Sequence, residues 1–390
     1  MRILEIETFG RGGLIHYAYN LSCALARRGH EVDLVTSVGY ELEGREQPSH
    51  LRVLKTIAPL TQRPGGVRPA FAAGLARKVE ALVDACRVAV LARRLRPDVV
   101  HLHCTNPISL AYLTLLRWLG VPVVSTAHVV TPHERMPLQG AVSGRIHRMS
   151  DLVIAHSEFD RNRLLEDFAV DPERVAVIPH GEYGFFDPGG EAPGRAEARR
   201  GLGLGPEDEV ALFFGYIREY KGLDLLLEAW PAVADARPAA RLLVAGDPVR
   251  LAPLRRRELE TWATRLGAVH RFEYIPFSDV SRYFRAADVL VMPYRHISQS
   301  GVLFLALSLG VPVVATRVGG LSEVLRDGHS ALLVPPESPE ALDEALTRVL
   351  DDPELRERLA RGGRRVADEH SWTSIAERTE TLFARLSAEG

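Results

Sequence analysis

Two cations in the second half of the chain follow a predicted strand and could bind a diphosphate. Arg218 and Lys221 are three residues apart in the loop after the predicted strand 210–215, and Gly222 begins the next predicted helix. Arginine binds phosphate oxygens as a two-pronged fork, and lysine binds them as a point charge. Because open α/β sheets bind ligands beyond the carboxyl ends of their strands, we expect both side chains to contact a ligand. A solvated charged turn is the alternative.

A glycine-rich turn occupies the corresponding place in the first half. Gly10, Gly12 and Gly13 stand between the predicted strand 2–7 and the helix that follows. Glycines let the backbone approach a ligand closely, and a helix N-terminus favours anions. A tight turn without a ligand fits the glycines equally well. The full dinucleotide-binding pattern Gly-x-Gly-x-x-Gly is absent because Ile15 stands at its last position.

Polar residues also cluster before the predicted helix 300–309 and after the predicted strand 311–315. The first group consists of Ser298, Gln299, Ser300 and Gly301. A serine here could cap the helix, and the free N–H groups of its first turn could hold a phosphate. The second group is the segment 319–323, which ends in Glu323. The carboxylate of Glu323 could bind ribose or sugar hydroxyls, or the residue could simply lie in the first turn of a helix.

Three histidines lie near predicted strand ends in the first half. His101 and His103 alternate along one strand and share a face, which is typical of core residues. His128 follows the strand 121–127, at the end where ligands bind, so we expect it to contact a ligand. No His-x-x-x-His pattern accompanies them, so the sequence predicts no zinc site.

Short apolar runs alternate with helix-period segments along the whole chain, which predicts parallel sheets covered by helices on both faces. In the first half the predicted strands are residues 2–7, 31–36, 98–103, 121–127, 152–156 and 175–179. In the second half they are residues 210–215, 241–245, 270–273, 288–292, 311–315 and 331–334. Residues 183–209 interrupt the alternation and read as a linker. The fold class is therefore α/β, with two doubly wound Rossmann-like domains and a ligand cleft expected between them.

Composition excludes several classes of protein. The 390 residues are 46% hydrophobic and 25% charged, with a formal net charge of −2, which is typical of a soluble globular protein and not of a nucleic-acid binder. Three cysteines without a Cys-x-x-Cys pattern predict buried reduced thiols. No signal peptide or membrane span is predicted, so we expect a cytoplasmic protein. The arginine-rich segment 77–96 reads as a solvated helix or, alternatively, as weak contact with an anionic membrane face.

The ordered set of motifs resembles the retaining glycosyltransferases of family 4, which have the GT-B fold. The resemblance rests on the glycines before the first helix and on four further segments: 97–103 (PDVVHLH), 177–181 (VIPHG), 213–224 (FFGYIREYKGLD) and 287–320, which contains ADVLVMP and GVPVVAT. The resemblance implies an acceptor-side domain at residues 1–185 and a nucleotide-sugar donor domain at 186–365. Residues 366–390 would form a helix that crosses back to the first domain.

The resemblance also implies transfer of a sugar from a nucleotide-diphosphate donor to an acceptor hydroxyl with retention of configuration. It assigns catalytic roles to His128, Arg218 and Lys221, without a metal or other cofactor. The implied donor-binding residues are Gly12, Gly13, Arg218, Lys221, Ile275, Ser298, Gln299, Ser300, Gly301 and Glu323, and the implied acceptor-side residues are His16 and His103. The expected acceptor is a sugar, a lipid-linked molecule or a small molecule.

The chain departs from the family pattern at two positions. The family commonly has two glutamates before a Gly-x-Pro, and here Ile297 and Leu305 stand at those positions. The departure indicates a variant branch and leaves a nucleotide-sugar-binding protein without turnover as one alternative. A nucleotide-sugar epimerase on the same fold is a second, although no pair of cleft carboxylates is evident. A nicotinamide dehydrogenase is disfavoured because the dinucleotide fingerprint is missing.

Overall fold

A computed structural model describes residues 1–57, 70–104, 106–128, 130, 139–186, 193–249 and 251–389, with backbone only at 70–81, 107, 108, 139 and 387–389. The chain forms two compact units. The first comprises Met1–Gly181 together with Trp372–Gly390, and the second comprises Glu182–Ser371. Each unit contains one parallel sheet, which confirms the predicted α/β class with two Rossmann-like halves.

The first unit is built on a seven-stranded sheet in the order β3-β2-β1-β4-β5-β6-β7. Its strands are β1 (Arg2–Ile6), β2 (Glu31–Ser37), β3 (Leu51–Ile57), β4 (Val99–Leu102), β5 (Val123–Thr126), β6 (Leu152–Ala155) and β7 (Val175–Val177). Its helices are α1 (Gly13–Arg27), α2 (Ala70–Leu95), α3 (Pro107–Trp118), α4 (Gln139–Met149), α5 (Glu158–Phe168) and the terminal α14 (Trp372–Glu389). The central strands are buried along their length because helices cover both faces of the sheet.

The second unit is built on a six-stranded sheet in the order β10-β9-β8-β11-β12-β13. Its strands are β8 (Glu209–Phe214), β9 (Ala240–Ala245), β10 (Val269–Arg271), β11 (Val289–Met292), β12 (Val313–Thr316) and β13 (Leu332–Val334). Its helices are α6 (Arg195–Gly201), α7 (Leu223–Ala236), α8 (Pro253–Arg265), α9 (Phe277–Ala286), α10 (Gly301–Leu309), α11 (Leu321–Val324), α12 (Pro339–Asp351) and α13 (Pro353–Glu369). Each predicted strand of this half has a counterpart in the sheet.

Several elements of the structure differ from those predicted from the sequence. Strand β3 was missed because it lies at the sheet edge, where Arg52 and Lys55 interrupt its apolar residues. The predicted linker 183–209 contains helix α6, so that part of the prediction is wrong. The expectation that all cysteines are buried is also wrong, because Cys86 is exposed on α2.

The units divide at slightly different positions from those expected. The first boundary lies after Gly181, whereas the sequence placed it after residue 185. The second lies after Ser371, whereas the sequence placed it after residue 365, because α13 continues to Glu369 and buries Ala367 in the core of the second unit.

Helix α14 packs on the first unit. Its initial Trp372 lies so close to Gly181 that a Cβ there would be 2.5 Å from the indole ring. Further along, Arg28 of the first unit contacts Glu377 at 2.9 Å and Glu380 at 2.6 Å. Across the described residues, no helix combines the length and the apolarity that a membrane crossing requires.

Candidate functional site

The carboxyl edge of the second sheet carries four neighbouring loops, and glycines allow them to pack closely. Gly246, after β9, approaches the loop after β8 so closely that an added Cβ would be 1.8 Å from the carbonyl oxygen of Gly215. On the other side, a Cβ on Gly222 would be 2.0 Å from the oxygen of Pro293, and one on Gly319 would be 1.8 Å from that of Ile297. The four glycines at these close approaches have positive φ angles, which disfavour residues with a side chain. They are Gly215, Gly222, Gly246 and Gly319.

Lys221 lies in this edge as a buried cation. Its side chain is 6% exposed, and its Nζ is 5.2 Å from the centre of the Tyr294 ring. Burial, with a smaller contribution from the charge of Arg218, lowers the pKa of Lys221 to about 7. Within the part of the chain that the structure describes, no carboxylate pairs with Lys221, and nearby Asp224 instead holds Arg295 and Arg255 at 2.8 Å. A buried ammonium without a counter-ion is costly, and an anionic ligand would remove that cost.

Arg218 lies beside Lys221 at the start of a short 3-10 turn. Its guanidinium carbon is 5.6 Å from the centre of the Tyr216 ring, and the side chain is half-buried. The two predicted cations are therefore brought together, since the charge of Arg218 acts on the pKa of Lys221. Two cations at one strand end form a suitable site for the two phosphates of a nucleotide diphosphate.

The N-terminus of α10 points into the same region. A Cβ on Gly215 would lie 3.0 Å from Val302 in the first turn of α10 and 3.1 Å from the Nζ of Lys221. Ser300 occupies the N-cap position, yet its side chain makes no capping hydrogen bond. The first N–H groups of α10 thus add a positive dipole end to the two cations.

The remaining donor-side residues predicted from the sequence occupy different environments. Gln299 is half-buried, and its Oε1 lacks a hydrogen-bond partner in the described residues, while its amide nitrogen lies over Gly320. Ser298 is buried, Glu323 is exposed on the short helix α11, and Ile275 places its side chain in the core of the second unit. A ligand would meet Ile275 only through its backbone.

Ile297 and Leu305, at the two positions where the resemblance leads one to expect glutamates, are both buried. They are 5% and 3% exposed and belong to the hydrophobic core of the second unit. The backbone carbonyl of Ile297 packs on Gly319, so this loop keeps its position without a carboxylate.

In the first unit, two carboxylates that the sequence analysis did not single out hold the glycine turn. Buried Glu7 accepts hydrogen bonds from the backbone N–H groups of Phe9 and Gly10, each at 2.8 Å. Glu41 accepts a hydrogen bond from the N–H of Gly12 at 2.5 Å and lies 2.9 Å from Nε2 of the predicted acceptor-side His16. The carboxylate of Glu41 thus stands at the N-terminus of α1, where an anionic ligand is expected.

Histidines from four neighbouring strand ends surround one tyrosine in the first unit. The ring centre of buried Tyr17 lies 4.7 Å from that of His128, 5.1 Å from those of His156 and His180, and 5.6 Å from that of His103. His128 is partly exposed, whereas the other three histidines are buried. Of the predicted residues, the structure brings His128 and His103 together. His156 and His180 were not predicted. Each directly follows a strand, β6 or β7, which is the same feature that pointed to His128.

Glu5, His101 and His103 form the one group of candidate metal ligands found among the described residues. Glu5 Oε2 lies 2.9 Å from His101 Nδ1 and 2.5 Å from His103 Nε2. Ligands of one tetrahedral zinc ion, with bonds of about 2.0–2.1 Å, would stand roughly 3.3 Å apart. The His103 contact is a hydrogen bond to the carboxylate, whereas His101 Nδ1 lies near the same oxygen without hydrogen-bond geometry. Burial raises the pKa of Glu5, but the two histidines outweigh it and lower that pKa to about 2.

Comparison with known families gives two matches that together span most of the chain. The family described as Glycosyltransferase Family 4 matches residues 11–181. The family described as Glycosyl transferases group 1 matches residues 208–352. Both matches fall within the units defined by the structure.

Individual relatives match over nearly the whole length. The chain is 32% identical to a D-inositol 3-phosphate glycosyltransferase of Segniliparus rotundus, over 94% of this chain and 83% of that protein. It is 31% identical to the protein of the same name from Actinosynnema mirum, over 96% of this chain and 91% of that protein.

Solved structures share the architecture. Sucrose-phosphate synthase from Thermosynechococcus elongatus superposes with a TM-score of 0.75 at 23% identity, covering 100% of both chains. The Anabaena protein HepE in complex with UDP-glucose gives a TM-score of 0.77 at 19% identity, covering 98% of this chain and 100% of that one. At these identities the likeness establishes the fold alone.

Proposed function

The chain belongs to the family 4 and group 1 glycosyltransferases, and on that premise we propose that it transfers a sugar from a nucleotide-diphosphate donor to an acceptor hydroxyl with retention of configuration. The donor binds to the second unit, and the acceptor binds to the first. The observation that carries the proposal is the buried ammonium of Lys221, which has Arg218 beside it and no carboxylate partner in the described residues.

The two cations provide the electrostatic part of the reaction. When the bond between the anomeric carbon and the diphosphate breaks, its electron pair and negative charge remain on the diphosphate. Arg218, Lys221 and the first N–H groups of α10 stabilise that charge as it develops, so the chemistry needs no metal ion. Gln299, Ser298 and Glu323 supply the polar contacts to donor hydroxyls, and the backbone of Ile275 borders the nucleoside.

Residues of the first unit handle the sugar and the acceptor. Gly12 and Gly13 let the backbone approach the diphosphate, and His128 contacts the transferred sugar. Attack by the acceptor hydroxyl on the face that the diphosphate leaves preserves the configuration, with the leaving diphosphate as final acceptor of the hydroxyl proton. His16, paired with Glu41, lies on the acceptor side.

For the acceptor, we propose a polyol or sugar phosphate as the first class to test. The support is the name of the relatives, D-inositol 3-phosphate glycosyltransferases, at 31–32% identity. Lipid-linked and other small-molecule acceptors are the competing classes, and a panel of acceptors with one donor separates them.

The donor prediction can be tested by thermal shift of the purified protein with UDP, GDP, ADP, dTDP and their sugars. A ligand that binds only the folded state stabilises it by mass action and so raises Tm. At a hundredfold excess over Kd, the free energy of unfolding rises by about 2.7 kcal/mol. We expect one nucleotide to raise Tm equally with and without EDTA. Proton NMR of the product formed with D-inositol 3-phosphate should show the anomeric configuration of the donor.

Two results would contradict this proposal. A shift abolished by EDTA would contradict the metal-free part, and an inverted product would contradict retention. Binding of one nucleotide sugar without turnover for any acceptor would favour the alternative of a binding protein, in keeping with the apolar Ile297 and Leu305. Turnover without acceptor to a second nucleotide sugar would favour the epimerase.

We further propose that α2 contacts an anionic membrane surface weakly. Leu82, Val83 and Val90 are 62%, 42% and 50% exposed on this helix, and Arg93 and Arg94 are exposed beside them. An apolar stripe flanked by arginines is typical of helices that lie in a membrane interface.

Co-sedimentation with vesicles tests this contact. The protein should sediment with phosphatidylglycerol-containing vesicles and not with pure phosphatidylcholine, and Arg93→Glu with Arg94→Glu should reduce the bound fraction. Arg361→Glu, an exposed arginine of the second unit, serves as the matched control. An equal bound fraction on vesicles with and without phosphatidylglycerol would contradict the proposal.

A further inference from the structure

Three histidine rings of the first unit form a continuous chain of hydrogen-bond contacts. His103 Nε2 contacts Glu5 Oε2 at 2.5 Å, and His103 Nδ1 contacts His128 Nε2 at 3.4 Å. His128 Nδ1 then contacts His156 Nε2 at 3.1 Å, and His156 Nδ1 contacts the carbonyl oxygen of Ile178 at 3.0 Å. The chain thus crosses the ends of β1, β4, β5 and β6 in the order in which those strands lie in the sheet.

The ends of this chain determine how many protons it needs. The ionised carboxylate of Glu5 and the carbonyl of Ile178 can only accept hydrogen bonds. Four contacts between two acceptors require four N–H protons, whereas three neutral imidazoles supply three. One contact in the neutral chain therefore joins two nitrogen lone pairs.

The distances indicate which contact lacks its proton. The contact between His103 and His128 is the longest of the four, at 3.4 Å. If this contact is the one without a proton, His103 carries its proton on Nε2, and His128 and His156 carry theirs on Nδ1. Every other contact is then a normal hydrogen bond.

Burial lowers the pKa of His103 to about 4 and that of His156 to about 3, so the neutral chain is the resting state and a further proton stays only while it is being transferred. Glu5 is a buried carboxylate, so an imidazolium in the chain would balance its charge. His101, whose Nε2 lies 2.7 Å from Thr126 Oγ1, is the second histidine on Glu5. Of the four members of the chain, His128 alone is partly exposed. Tyr17 and His180 cover the remaining sides, together with Trp372, whose ring centre lies 5.2 Å from that of Tyr17.

We infer that Glu5, His103, His128 and His156 form one proton-holding chain, which is one proton short at rest and receives that proton through His128. Its use in transfer rests on the proposed function. As the acceptor oxygen bonds to the anomeric carbon and the diphosphate leaves with the electron pair, the hydroxyl proton enters between His128 and His103. The chain then passes it to the departing diphosphate. Glu5, His103 and His156 are positioning residues that fix the tautomer of His128.

The tautomers can be measured without any substrate. In long-range proton–nitrogen spectra of histidine-labelled full-length protein at pH 7, His128 and His156 should carry their protons on Nδ1 and His103 on Nε2. Signals are assigned with single His→Gln variants. A proton on Nε2 of His128, or a doubly protonated ring among the three at pH 7, would overturn the inference whether or not the protein is a transferase.

Activity tests the role of the charge. Glu5→Gln keeps the size and an acceptor oxygen but removes the carboxylate, so we expect kcat to fall about 10–100-fold. The donor KM should stay within about twofold, and Glu5→Asp should recover part of the loss. His147→Gln is the control, because His147 is buried beside the same sheet and bonds Ser125 at 3.2 Å, outside the chain. An unchanged kcat in folded Glu5→Gln would refute the catalytic role and leave the tautomer result standing on its own.

Discussion

Replacing Lys221 by methionine should abolish most donor binding and transfer while making the unliganded protein more stable. Methionine has a similar length and packs well against the Tyr294 ring, but it brings no charge to the diphosphate. The loss of one charged contact at a leaving group costs about 10²–10³ in kcat/KM. Donor affinity, measured by calorimetry with the nucleotide sugar found in the screen, should fall about 10–100-fold.

The gain in stability follows from the lowered pKa of Lys221, which is about 7 in the folded protein against 10.5 for an ordinary lysine. The unfolded chain binds the proton more tightly, so the stability of the wild-type protein rises with pH between 7 and 10.5. The penalty for the buried ammonium is fully present below pH 7. The Tm of Lys221→Met should therefore exceed that of the wild type most at pH 6, and the difference should vanish as pH approaches 10.5.

The lowered pKa of Lys221 also predicts that donor affinity falls as pH rises above 7. Below pH 7 Lys221 is protonated and ready for the diphosphate, whereas above pH 7 binding must also take up a proton. Affinity for a nucleotide-diphosphate sugar, whose esterified diphosphate does not titrate in this range, should fall up to about tenfold per unit above pH 7. Lys221→Met should lack this dependence. Lys55→Met, an exposed lysine paired with Glu43, is the matched control and should behave as the wild type.

Replacing Asp288 by alanine should destabilise the second unit by about 3–5 kcal/mol. Asp288 Oδ2 accepts hydrogen bonds from the backbone N–H of Val210 and from Arg199, each at 2.7 Å. The side chain of Arg199 is 3% exposed, and without Asp288 its remaining hydrogen-bond partners among the described residues are the carbonyl oxygens of Ala286, at 3.1 Å, and Pro206. A buried charge without its counter-ion is the expensive case, unlike an exposed ion pair.

Urea denaturation measures this prediction, and a double variant isolates its cause. Arg199→Met should recover a large part of the loss in an Asp288→Ala background, because it removes the stranded charge. Glu258→Ala is the control, since Glu258 pairs with Arg255 on the surface at 3.4 Å and should cost less than about 1 kcal/mol. A loss below about 1 kcal/mol for Asp288→Ala would show that the guanidinium finds water or another partner.

The architecture and the position of the two cations could be predicted from local sequence patterns. Most strands of the second sheet are short apolar runs between helix-period segments, and such runs are buried when helices cover both faces of a parallel sheet. Arg218 and Lys221 follow β8 directly, so their place at the carboxyl edge needed no long-range information. Where the local pattern was mixed, as in the edge strand β3, periodicity failed.

The burial and the hydrogen-bond partners of these residues depend on the packing of the whole fold. The position of Lys221 after β8 does not reveal that its side chain is buried, and its pKa falls because packing around Gly215 and Tyr294 buries it. Glu5 looks like an ordinary strand-end acid, yet it lies in the first unit with no exposed surface. The other members of the chain follow at intervals of 25 residues from His103 to His128 and 28 residues from His128 to His156, and parallel pairing of β4, β5 and β6 places them side by side. Burial and proton sharing depend on neighbours distant in sequence, so no local pattern could reveal them.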